Sequence, residues 1–117
     1  MLSDTDRVRL RHMLDATREA RGFVLDRTRA DLDRDRMLFR ALVNCIEIVG
    51  EAASRVSDET RSRLPAIPWP QITGMRNRLI HAYFDISADV VWSTVTHDLA
   101  LLEPHLMTAL KTESREG

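Results

Sequence analysis

The sequence predicts an all-α protein, an antiparallel bundle of four to five helices, and two observations predict it. Backbone breakers are scarce: 117 residues hold only four Gly and four Pro, and three of the prolines fall between Pro65 and Pro70. Elsewhere apolar residues recur at steps of three and four, the period of a helix with one buried face. The length suits one domain over 1–117, enough for a real core but not for a second module.

The first helix starts after Ser3 or Asp4, either a plausible N-cap, and is expected to run to about Leu32. Its apolar line passes through Leu10, Leu14, Thr17, Val24 and Thr28, interrupted by Arg21, with Gly22 a weak point. The second, Asp35 to Val56, has the strongest pattern. Leu38, Ala41, Leu42, Cys45, Ile48, Val49, Ala52, Ala53 and Val56 form the stripe, and Arg40, Asn44, Glu47, Glu51 and Arg55 make a polar line opposite. Gly50, mid-helix, costs about 1 kcal/mol relative to Ala, which close packing of another helix would explain. A short third helix, Asp58 to Leu64, can be capped by Ser57. The prolines at 65, 68 and 70 then force an extended turn, because each disfavours helix in the residue before it. Pro70 suits the first turn of a fourth helix running to about Phe84. Ser87 can cap the fifth, whose seam is Val91, Trp92, Val95, Leu99, Leu102, Leu106 and Leu110, with a kink expected at Pro104.

Composition excludes several function classes. The net charge of −1 makes no global electrostatic case for nucleic acid. Sixteen of the seventeen basic residues are arginine, a bias that GC-rich coding produces without any functional cause. The single cysteine, Cys45, rules out an internal disulfide and a multi-cysteine metal site, and its apolar neighbours suggest a buried thiol. Glu47 and Glu51 have the spacing of a carboxylate metal pair, but no E-x-x-H accompanies them, so no metal and no cofactor is expected. The glutamates more simply pair with Arg55 or Arg76, or line a cleft. The N-terminus lacks a signal-peptide core and no apolar run approaches the roughly 20 residues needed to span a bilayer. No membrane association and a cytoplasmic setting are expected. His12, His97 and His105 read as surface or structural histidines, Arg7, Arg9 and Arg11 as a solvated face, and Trp69 and Trp92 as core or interface anchors.

The fourth helix is unusual in its concentration of polar groups able to handle phosphate. Arg76 and Tyr83, seven apart, share nearly one angular position; Asn77 and His81, four apart, stack on one face. Arg76 and His81, five apart, stand about 140° apart around a regular helix. One copy therefore makes no tight Arg–His pair, whereas two copies about a two-fold axis could bring both sets to one cleft. That spacing permits a composite site without demanding one. Such a cleft suits metal-independent RNA cleavage. His81 would exchange a proton with the ribose 2′-hydroxyl or the leaving 5′-oxygen, and Arg76 would neutralise the charge building on the phosphorane. Asn77 could orient His81 or bind phosphate, and Arg78 could contact the RNA backbone.

The series R-x-x-x-x-H-x-Y at Arg76, His81 and Tyr83 resembles the signature of the HepT toxins, within the wider HEPN ribonuclease superfamily. The resemblance extends to Glu47-Ile48-Val49-Gly50-Glu51-Ala52-Ala53, Ile67-Pro68-Trp69, Gly74-Met75-Arg76-Asn77 and Asp89-Val90-Val91-Trp92, in the family's order and spacing. It implies a HEPN-like homodimer with Arg76 and His81 at an interface cleft, acting on RNA as the toxin of a toxin–antitoxin pair. It also implies an MNT-type nucleotidyltransferase antitoxin as partner, which transfers AMP units to Tyr83. Phosphates placed there would compete with RNA beside Arg76 and His81. The alternative is a non-catalytic binding or regulatory subunit of a nucleotidyltransferase complex, which would keep the same cleft and Tyr83. A purely structural helical adaptor would need neither His81 nor Tyr83 beyond stability.

Overall fold

A computed structural model describes residues 2–81 and 87–116, and the side chains of these except at 76, 78–81 and 112–116. Regular structure among the described residues is all helical, without strands: α1 Asp4–Phe23, α2 Asp31–Arg34, α3 Arg36–Ser54, α4 Asp58–Arg63, α5 Trp69–His81, α6 Ala88–Ser93, a π-helical turn Thr94–Asp98 and α7 Leu99–Glu116. None of the helices, among the described residues, is long and apolar enough to cross a membrane.

Helices α1, α3, α4 and α6 begin where a side chain can satisfy a free N–H. Ser3 Oγ accepts from the Asp6 amide at 3.1 Å, Asp35 Oδ1 from Leu38 at 3.0 Å, Ser57 Oγ from Thr60 at 3.3 Å and Ser87 Oγ from Val90 at 3.4 Å. The first helix stops at Phe23, not near Leu32. Beyond Val24, which still packs against the core, its line runs out into solvent: Leu25 is 73 % exposed, Thr28 is exposed, and Asp26 takes a left-handed φ of 62° that turns the chain. The short α2 then seats Leu32 in the core.

The stripe of α3 is centred differently from the expectation. Phe39, Ile46 and Gly50 are buried along with Leu38, Leu42, Cys45, Val49, Ala52 and Ala53, while Ile48 lies on the outer side, 39 % exposed. Both isoleucines fit an apolar stripe on the wheel; contact with α1 on one flank and α5 on the other selects Ile46. Val91, Val95, Leu99, Leu102, Leu106 and Leu110 are all buried as the seam predicts, with Trp92 half-buried. The helix is continuous through Pro104, and the irregular stretch comes earlier, as the π turn.

Two contacts show that the long helices run antiparallel. The start of α1 meets the end of α3 through Asp6 and Ser57, and its end meets α7 through Arg21 and Glu103, 2.6 Å apart. The Asp6 carboxylate, 5 % exposed, accepts from the Ser57 amide at 3.0 Å, the Ser57 hydroxyl at 2.6 Å and the Thr60 hydroxyl at 2.6 Å. Trp69 locks the proline turn: its indole N–H donates to the Leu64 carbonyl at 3.1 Å, and the Arg61 guanidinium lies 5.7 Å from its ring centroid. Arg61 also donates to the Ala53 carbonyl, which brings the start of α5 to the end of α3.

Candidate nucleic-acid site on helix α5

Helix α5 opens at the Pro68 carbonyl, which accepts from the Ile72 amide at 3.1 Å, and Pro70 occupies the first turn where its missing N–H costs nothing. It buries Trp69, Ile72 and Met75, each at most 7 % exposed, and packs along α3. Asn77 is exposed, on the side opposite that buried edge. The backbone stays α-helical through His81, so positions 76 and 81 remain about 140° apart around the axis, with 77 and 81 on one face. The side chains of Arg76, Arg78 and His81, Tyr83 itself, and the expected continuation of this helix to Phe84 lie outside the described residues.

The polar line of α3 forms one wall of a groove of about 330 Å³. Asn44, Glu47, Glu51 and Arg55 stand there opposite Arg9 and His12 of α1. Glu51 accepts from Arg55 Nε at 2.8 Å, one of the pairings expected for it; Glu47 is exposed. Arg9 carries more than the solvated-face reading gave it, and the exposed His12 stands beside it. The spacing of three sets them on one side of α1, and Arg9 is half-buried, with an Nε that is fully covered and has no hydrogen-bond partner among the described residues. Arg11 turns instead to a second groove, beside Arg18 and Lys111, so Arg7, Arg9 and Arg11 are not one basic patch. The i, i+3 pairing of Arg9 with His12 was the available signal for this.

Two expectations about isolated groups hold. His12, His97 and His105 are all exposed. Cys45 is buried, and its thiol donates to Glu19 Oε1 at 3.7 Å. Burial above all, then the charge and hydrogen bond of Glu19, push the thiol up to about 12, out of the range of a nucleophile at neutral pH. Among the described residues, no three His, Cys, Asp or Glu side chains are grouped so as to hold a metal ion.

What this arrangement can do chemically lies in the pattern on α5: a guanidinium, an amide and an imidazole within two turns, on a helix held against α3. The profile of a family described as "Ribonuclease HepT-like" matches residues 13–109. The chain is 34% identical over 95 residues to "Putative RNase TTE0752" of Caldanaerobacter subterraneus subsp. tengcongensis, covering 78% of this chain and 85% of that protein. It is 30% identical over 87 residues to "Putative RNase MJ1380" of Methanocaldococcus jannaschii, covering 74% and 80%. Over 63 residues it is 38% identical to "Probable ribonuclease HepT" of Thermococcus cleftensis, covering 54% and 57%. No solved structure matches the chain.

Proposed function

Because the chain belongs to the HepT-like ribonuclease family, we propose that it is a metal-independent endoribonuclease, one domain over 1–117, in which Arg76 and His81 carry the chemistry. The carrying observation is the series Arg76-x-x-x-x-His81-x-Tyr83 begun on α5, the helix whose first half is fixed in the core by Trp69, Ile72 and Met75. A regular helix sets positions 76 and 81 about 140° apart, a spacing that permits a site shared by two copies about a two-fold axis. Together with the family resemblance, this supports a homodimer with the cleft between its copies as the working form.

In that cleft His81 takes the proton from the 2′-hydroxyl as it attacks the adjacent phosphorus, or returns one to the 5′-oxygen as it leaves. Arg76 stabilises the phosphorane, with charge-assisted hydrogen bonds that strengthen as its oxygens gain charge. Exposed Asn77 shares the His81 face and orients the imidazole or the phosphate, and Arg78 holds the RNA backbone. The reaction needs the 2′-hydroxyl, so DNA is inert. The protein acts as the toxin of a toxin–antitoxin pair in the cytoplasm. Its antitoxin is an MNT-type nucleotidyltransferase that blocks the cleft by AMPylation of Tyr83.

The test is cleavage of a long unstructured RNA, and of the matching DNA, by purified wild-type, Arg76→Ala and His81→Ala proteins of equal dimer content. RNA cleavage lost in both variants supports the reading. Clean wild-type protein that cuts nothing would sink it and leave a binding subunit of a nucleotidyltransferase complex.

A further inference from the structure

Between α5 and α7 runs a groove of about 520 Å³, within the roughly 300–1,000 Å³ range of small-molecule sites. Its floor is apolar and rigid: Ile72, Met75 and Leu102 are at most 3 % exposed, and Leu101 forms a wall that is 60 % exposed. Three groups of different hydrogen-bonding character line the same space, the Gln71 amide, the Asp98 carboxylate and the His105 imidazole. Asp98 is half-buried, yet no hydrogen bond or ion pair joins its carboxylate to any described residue. It closes the π turn Thr94–Asp98, the kind of wide turn that recurs at functional sites.

The groove also has a definite place relative to the motif. Gln71 precedes Arg78 by seven positions and Met75 precedes it by three, so all three positions share one side of α5. The groove therefore opens about 10 Å along the axis from position 78. RNA held by its backbone at Arg78, as proposed above, would pass this opening.

Apolar contact for the faces of a ring, with donors and acceptors at its edge, is what an unpaired base requires. A carboxylate only accepts, so it selects bases that carry an amino group. We propose that the α5–α7 groove is a nucleobase subsite, in which Asp98 accepts from the exocyclic amino group of cytosine, adenine or guanine and so disfavours uracil. The proposal rests on the ribonuclease reading for its substrate but not for its test.

The test is an NMR titration of the full chain with cytidine and uridine monophosphates, followed at the methyl groups of Met75, Leu101 and Leu102. The expected result is a shift at these methyls, with the cytidine nucleotide bound at least about fivefold more tightly, a difference that Asp98→Asn abolishes. Absence of shifts at the groove, or equal affinities unchanged in Asp98→Asn, overturns the proposal. So do shifts produced by the co-expressed nucleotidyltransferase but by neither nucleotide, which would assign the groove to protein docking.

A second measurement uses cut sites mapped on a randomised RNA. Exposed Leu101→Asp should erase the bias against uracil at one position beside the cut. Cutting without any such bias in wild type counts against the subsite. Nucleotide binding at the groove in a protein that cuts no RNA removes the ribonuclease reading and leaves the subsite standing.

Discussion

Asp6 and Ser57, fifty-one positions apart, make a double hydrogen bond: the Ser57 amide donates to one carboxylate oxygen at 3.0 Å and its hydroxyl to the other at 2.6 Å. The pair fastens the start of α1 to the N-cap of α4, with the Thr60 hydroxyl as a third donor. Burial works against the charged form of Asp6. Hydrogen bonds from the hydroxyls of Ser57 and Thr60, from the Ser57 amide and from Ser3 outweigh it and hold the carboxyl below its usual range. Asp6→Ala strands the buried Thr60 hydroxyl and loses both Ser57 bonds, and should cost about 3 kcal/mol in urea unfolding. Because the folded-state pKa is depressed, the contribution is complete above the ordinary aspartate value of about 3.9 and disappears as pH falls through the lower folded value. Stability measured from pH 6 to pH 2 should show this acid loss in wild type, and less of it in Asp6→Asn.

Cys45 should be chemically silent. Burial and the neighbouring Glu19 raise its thiol to about 12, so at pH 8 the thiolate is roughly a thousandfold scarcer than for a free cysteine. Alkylation by iodoacetamide at pH 8 should be correspondingly slow in the folded protein and rapid in denaturant. Equal rates in the two states would mean that α1 and α3 separate readily at Glu19 and Cys45.

The local features of this fold were legible because they depend on near neighbours. Ser3, Ser57 and Ser87 each announce a helix start, and the leucine seam of the last helix needs only its own period. The end of α1 was not legible, because Val24 and Thr28 stay in helical phase and only the positive φ of Asp26 breaks the line. Choosing Ile46 over Ile48 required knowing which helices flank α3. The Asp6 clamp and the placing of Arg9 opposite Asn44 and Glu47 across one groove are tertiary, and no periodicity within one helix reports them. Of the candidate site, the residue types and their register on α5 could be read from the motif. The α5–α7 groove could not, because Asp98 enters it from a distant π turn.

Tyr83 should be the point of neutralisation. Protein co-expressed with its nucleotidyltransferase and ATP should gain mass in whole AMP units, and peptide mapping should place them on Tyr83. Tyr83→Phe should remain dimeric and toxic in the presence of the partner. Neutralisation that persists in Tyr83→Phe, with wild-type protein unmodified, would replace AMPylation by simple complex formation.

The last prediction concerns which copy supplies which group. With 76 and 81 about 140° apart on a regular α5, the arginine and histidine at one phosphate should come from different protomers. Arg76→Ala and His81→Ala should each lower cleavage by about 10²–10⁴-fold as homodimers. A mixed dimer of the two retains Arg76 on one protomer and His81 on the other, which is one complete site of the two. Random re-pairing makes about half of the dimers mixed, so an equimolar mixture should recover about a quarter of wild-type activity. Recovery to that level establishes a site shared across the interface. A mixture no more active than its parents, with mixed dimers confirmed by native mass spectrometry, places both groups in one protomer and would require α5 to depart from regular helix between them.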